Sequence, residues 1–205
     1  MNPVYTKNEK HSDSLADRQK LWLMCHAQMA FITVKEACLH IITKDLKYGD
    51  ALFYPLFTSI VVNYARSFKR SNLVGKLVEE MVPAKHSLIH KQTLLFRDKL
   101  IAHTDGDGPQ DQWGRVNEVR YQVGEQGLIV NTTEFHFNRG QIKGILELSN
   151  ILLDKIAYHI RKIERKHLNK VPKSQGEYVL NIDPAIDEYF VPAETVPEKL
   201  PPKWI

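Results

Sequence analysis

The sequence predicts a mainly all-α protein: an up-down helical bundle with a β-hairpin inserted before its last long helix and an irregular, proline-rich C-terminal tail. Three observations predict it. Apolar residues recur at three-and-four spacing over long stretches, the mark of amphipathic helices. One β-rich stretch bracketed by glycines interrupts them. Five of the ten prolines fall between Pro184 and Pro202, where neither a regular helix nor a central strand can form. The 205 residues suffice for one domain with an appendage. We read residues 1–173 as the helical body, with the hairpin at about 115–137, and residues 174–205 as a tail that packs on it.

The first helix is expected from about Ser14 to Thr43, capped by Asp13 or Ser14. Its apolar stripe is Leu21, Met24, Cys25, Phe31, Ile32, Cys38, Leu39 and Ile42, interrupted by Gln28 and Lys35. Gly49 and Asp50 break the chain. A second helix reads from about Ala51 to Lys69; it tolerates Pro55 only in its first turns and is apolar around much of its surface, which places it centrally. A short helix is expected at about Asn72 to Met81, ended by Pro83. A fourth covers about Ala84 to His103, with Leu88, Ile89, Leu94, Leu95, Leu100 and Ile101 as its apolar residues.

Thr104 to Gly114 reads as a loop. The runs around Gly124-Glu125-Gln126-Gly127 read as a hairpin, which is marginal alone and is expected to lie against the helices or a partner chain. The last helix, about Arg139 to Leu168, holds Ile142, Ile145, Leu146, Leu152, Leu153, Ile156, Ile160 and Ile163 on one face.

Composition excludes several function classes. Hydrophobic residues are 43% and charged residues 25%, ordinary for a globular chain. Two cysteines, both in helical pattern, exclude a disulfide scaffold and a cysteine zinc ribbon and fit a reducing compartment. The polar first residues lack the apolar core of a secretory signal, and the apolar runs are too short to span a bilayer. A cytoplasmic protein with no membrane association is expected.

The net charge of +4 is a sum of unlike parts: residues 174–205 carry −4, so the body carries +8. A basic body suits a polyanionic partner, and an acidic tail suggests a cover that competes with it.

The most informative stretch is Phe96-Arg97-Asp98-Lys99-Leu100-Ile101-Ala102-His103-Thr104-Asp105. A guanidinium that stays charged precedes, by six residues, an imidazole that titrates near neutrality. On an ideal helix the two point about 120° apart. They converge only if Arg97 reaches along the axis toward a fraying end, or meets its equivalents in a second subunit. Lys99 stands four residues before His103 and favours its neutral form.

With Leu95 before it, this segment resembles the signature of the HEPN superfamily, the higher eukaryote and prokaryote nucleotide-binding helical domains, and looks most like the abortive-infection-type branch. That signature is an arginine, a spacer of four to six residues that usually opens on a polar one, and a histidine. Arg97, Asp98 and His103 fit it. Tyr64-Ala65-Arg66-Ser67-Phe68 also resembles a segment on an earlier helix of such proteins.

The resemblance covers roughly Ser14 to Lys170. It implies a homodimer with two motifs facing a cleft, and metal-independent cleavage of RNA to 2′,3′-cyclic phosphate and 5′-hydroxyl ends. His103 would be the general base or acid, Arg97 would stabilise phosphate charge, and Asp98 would orient one of them. No cofactor is implied. An antitoxin or other regulatory partner is a further implication, although Asp105 stands where toxins paired with nucleotidyltransferase antitoxins carry tyrosine. Such bundles also include non-catalytic dimeric binding or scaffold modules, which is the alternative.

Other candidate contacts with RNA are Arg66 on the second helix, His90 and Lys99 on the fourth, and Lys162, Arg165 and Lys166 at the basic end of the last. His86, His90 and Arg97 share one helix face, which reads either as an ordinary partly exposed face or as a basic stripe leading substrate toward Arg97. His86 and His90 lack the glutamate of a zinc-protease motif, so no metal site is expected. Asp105-Gly106-Asp107-Gly108 fails as a calcium loop, because Pro109 and Val116 occupy ligand positions. Gly75-Lys76 lacks the rest of a phosphate-binding loop.

Overall fold

A computed structural model describes residues 7–70, 75–98, 119–124, 127–132, 137–183 and 188–195, with side chains from residue 15 onward and, in the hairpin, at 123, 124 and 127. The described chain is mainly helical. In order run α1 (Lys7–Thr43), α2 (Phe53–Arg66), α3 (Ser87–Phe96), the hairpin β1 (Val119–Gly124) and β2 (Gly127–Thr132), α4 (Arg139–Lys166), and a small ribbon of β3 (Tyr178–Leu180) and β4 (Phe190–Pro192).

Helix α1 begins seven residues before Ser14, so Asp13 and Ser14 lie inside it rather than at its start. Its buried line is Met24, Ala27, Phe31, Val34, Cys38 and Ile41, flanked by Ala30 and Ala37. Cys25 and Ile32 are exposed, against expectation. The alanines explain the shift. They carry little hydrophobic signal, yet their small side chains turn this face inward. Burial pushes the Cys38 thiol up to about 12, which makes it an inert core group.

In α2, Pro55 sits in the first turn, where a missing N–H costs nothing. Phe53, Phe57, Ile60, Val61, Tyr64 and Ala65 are buried. Leu52, Tyr54 and Val62 are exposed, so one face is open and the helix is less central than its composition suggests. No helix forms over residues 75–78. Gly75 takes a positive φ of 80°, Val78 is extended, and only Glu79–Met81 make a single 3₁₀ turn. The Leu77 amide bonds back to the Ser67 carbonyl (3.0 Å), tying this segment to the end of α2.

The largest departure lies in α3. A 3₁₀ turn (Ala84–His86) leads into it, and its buried face is His86, His90, Thr93 and Phe96. Leu88 is exposed, and Leu94 and Leu95 are only half-buried. The core accepts a histidine because Tyr64 Oη meets His90 Nδ1 at 2.8 Å and the imidazole packs edge-on against Phe68 at 4.6 Å.

Phe137 was expected at the end of a strand. It is instead a core anchor, 1% exposed, with its ring 4.4 Å from Phe96 and 5.5 Å from Phe57. Directly after it, Asn138 and Gln141 form a reciprocal capping box that starts α4. The core face of α4 is Ile142, Ile145, Leu148, Leu152, Ile156 and Ile163, close to the predicted stripe. Phe96 meets Phe137, Gln92 meets Gln141, and Lys85 meets Glu147, so α3 and α4 run antiparallel. Asp17 meets Lys166, and Asp45 pairs with Arg139, so α1 and α4 do too.

Strands β1 and β2 pair antiparallel from Val119↔Thr132 to Gly124↔Gly127. At its turn, Val123 is 82% exposed. The tail folds back as the β3–β4 ribbon and docks on the body. Tyr189 is buried with Leu21 and Ile163, and the buried Arg18 donates to the Glu188 carbonyl (2.8 Å). Asn181 Nδ2 donates to the same carbonyl (3.0 Å).

Candidate functional site

The candidate site begins where α3 ends. The helix widens into a π-type turn at Arg97 and Asp98. Arg97 Nη1 donates to Asp98 Oδ1 (3.1 Å), and Lys69 Nζ, from the turn after α2, pairs with the other carboxylate oxygen. The turn that follows α2 makes this possible. The Phe68 amide bonds to the Ala65 carbonyl and that of Lys69 to Arg66, which buries Ser67 and Phe68 and turns Lys69 outward.

Partial burial would raise the Asp98 carboxyl. The hydrogen bonds and charges of Lys69 and Arg97 outweigh it and hold the group below the usual carboxylate range. All three side chains remain more than a third exposed, so a polyanion can reach the two cations.

His103 and Lys99 lie outside the described residues. His90 is described, and it is not a surface contact. It is 3% exposed and bonded to Tyr64. Burial lowers its pKa below the ordinary value; Glu79 opposes this and Lys91 adds to it. Its neighbour His86 is 7% exposed, with Nε2 3.5 Å from Glu147. The predicted basic stripe is therefore the inward face of α3, and only Arg97, where that face runs out to solvent, is accessible. No group of three His, Cys, Asp or Glu side chains among the described residues is placed to hold a metal ion.

Arg66 is exposed and opens a groove of about 380 Å³ between α1 and the end of α2. Trp22, His26, Met29, Asn63, Ser67, Lys69 and Arg70 also line it. The His26 imidazole packs at a tilt against the Trp22 indole, with ring centroids 3.7 Å apart and planes at 37°. Partial burial first, and Arg66 second, push the His26 pKa down. Because Lys69 both lines the groove and holds Asp98, the groove and the Arg97 turn are joined. Sequence reasoning passed over Trp22 and His26. Their i, i+4 spacing beside the Arg66-Ser67-Phe68-Lys69-Arg70 cluster was the only available signal.

Lys162, Arg165 and Lys166 lie near the other end of α4. Lys162 is 23 residues from Arg139, or about 35 Å along the helix. The start of α4 is the end beside Phe96. The structure therefore does not gather these residues with Arg97 in one protomer. Lys166 donates to Asp17 Oδ2 (2.6 Å), and His167 Nε2 lies 2.8 Å from the same oxygen.

No helix among the described residues is long and apolar enough to cross a membrane. Comparison with protein-family models, curated proteins and solved structures returned no match.

Proposed function

We propose that this chain is a metal-independent endoribonuclease of HEPN type, acting as a homodimer. It would cleave RNA to 2′,3′-cyclic phosphate and 5′-hydroxyl ends. One observation carries the reading: Arg97 stands at the accessible end of α3, its guanidinium oriented by Asp98, which Lys69 holds in turn. Two cations fixed around one carboxylate are a preorganised environment for a phosphate gaining charge in the transition state.

In this reaction His103 takes the proton from the ribose 2′-hydroxyl or returns one to the leaving 5′-oxygen, a contribution of about 10²–10⁴-fold. Arg97 stabilises the phosphorane charge, and Asp98 keeps the guanidinium in place. Action in phage defence, or beneath an antitoxin or other regulator, follows from the resemblance to the abortive-infection branch.

The test is incubation of the purified chain with total RNA and tRNA, wild type against His103→Ala, with and without chelator, followed by analysis of the ends. Cyclic-phosphate products that survive chelation and vanish in His103→Ala support the reading. Equal cleavage by His103→Ala, or none by wild type, refutes it.

A second reading, a non-catalytic dimeric binding module, is favoured by the same ion-pair set taken as a structural clamp. Lys69–Asp98 joins the end of α2 to the end of α3, and such a clamp needs no substrate. That reading expects Asp98→Asn to loosen the fold and no RNA to be cut.

A further inference from the structure

The groove between α1 and α2 has features that a merely solvated helix junction does not need. The Trp22 and His26 rings lie against each other on one wall, and Met29, 63% exposed, continues that wall. On the other wall stand Arg66 and Arg70, neither with a carboxylate partner among the described residues. Ser67 is 5% exposed at the floor, and its hydroxyl has no hydrogen-bond partner there. An unpaired buried hydroxyl is costly, so its presence in a groove lined with cations points to an occupant that brings polar atoms.

We propose that this groove is a base-stacking subsite for single-stranded RNA. Trp22, backed by His26, holds one base, and Arg66 and Arg70 hold the adjoining phosphates. The proposal rests on the reading of the chain as an RNA-cleaving protein, and it adds the form of the substrate. The ligand needs a π-face for the indole beside a phosphate for the guanidinium groups. An unstacked nucleotide offers both, whereas a duplex keeps its bases stacked on each other. Lys69 lies on the groove and bonds to Asp98, so a strand seated there continues toward Arg97. Trp22 thereby becomes a determinant of single-strand specificity, separate from the reacting groups. His26, whose pKa is pushed down by burial and by Arg66, serves as an aromatic backing.

The experiment measures fluorescence anisotropy of a short labelled single-stranded oligoribonucleotide with the full-length His103→Ala chain, which cannot consume the probe. Trp22→Ala should weaken binding roughly 5- to 100-fold, and Trp22→Phe should restore most of it. Arg66→Gln and Arg70→Gln, at positions with little risk to folding, should each weaken binding and lower the salt dependence by about 0.7 in log–log slope.

Binding by Trp22→Ala equal to that of the parent overturns the proposal, as does equally tight binding of duplex RNA. So does a changed oligomeric state in Trp22→Ala with RNA binding intact, which would make the groove a protein interface. Cleavage by wild type is measured separately. Trp22-dependent binding without cleavage removes the nuclease reading and keeps the subsite. Cleavage with Trp22-independent binding does the reverse.

Discussion

Removing one oxygen atom from Tyr64 should cost far more than its size suggests. Tyr64 is fully buried and His90 is 3% exposed, with 2.8 Å between Oη and Nδ1. The other imidazole nitrogen, Nε2, already has no partner among the described residues. Tyr64→Phe leaves both ring nitrogens of a buried histidine without partners among the described residues, a cost of about 1–3 kcal/mol. That is a large share of a typical stability of roughly 5–15 kcal/mol.

Adding His90→Leu to Tyr64→Phe removes the stranded group as well as its partner. The double variant should therefore be less destabilised than the sum of the singles, by about 1 kcal/mol or more. The assay is urea unfolding followed by circular dichroism at neutral pH. Additive effects, or a Tyr64→Phe cost within error of zero, would refute a paired histidine in the core.

A pH arm follows from the same pair. Burial holds the folded pKa of His90 below its unfolded value. The unfolded chain thus binds the extra proton first, and stability is lost as pH falls from about 6.5 toward the folded value. Comparison of wild type with His90→Leu isolates that slope.

Asn138→Ala removes one half of the capping box on α4 and should cost about 0.5–2 kcal/mol by the same unfolding assay. Asp98→Asn should cost under about 1 kcal/mol at neutral pH, because the ion pairs are partly exposed and screened. Wild type owes a small stability to the lowered Asp98 carboxyl. That share is present above its unfolded pKa, near 3.8, and disappears as pH falls through the folded value; the Asn variant should lack this acid step in a pH–stability series. Arg18→Ala breaks the bond to the Glu188 carbonyl. Amides of the β3–β4 ribbon should then exchange faster with deuterium, while those of α4 stay unchanged.

The helical architecture was legible because α4 carries branched and long aliphatic residues at regular spacing; the capping box of Asn138 and Gln141 that starts it went unread. The long α1 was legible in type but not in face. Alanine gives almost no hydrophobic signal, so Ala27, Ala30 and Ala37 were invisible as the positions of close approach. The α3 face was misread for a related reason. Leucine reads as buried and histidine as exposed, but a tyrosine hydroxyl 26 residues away reverses the preference by satisfying the imidazole.

At the candidate site, Arg97, Asp98 and His103 stood out because their order and spacing form a local pattern. The link from Asp98 to Lys69 did not. The two are 29 residues apart and meet only through the turn after α2. The groove was hidden likewise, since Trp22 and Arg66 come from different helices.

The bond from Arg18 to the Glu188 carbonyl spans 170 residues. On a ribosome, α1 emerges about 170 residues ahead of the ribbon that covers its Arg18 and Leu21. Until the ribbon has been made, the nascent chain therefore shows a cation beside an apolar patch without the cover that the ribbon provides. Closure of the ribbon has to wait for α1 and α4 to meet, because Tyr189 packs on Leu21 from one and Ile163 from the other. Docking of the ribbon thus falls among the last steps of assembly, and a chain stopped short of Glu188 would keep this patch open to chaperones and proteases.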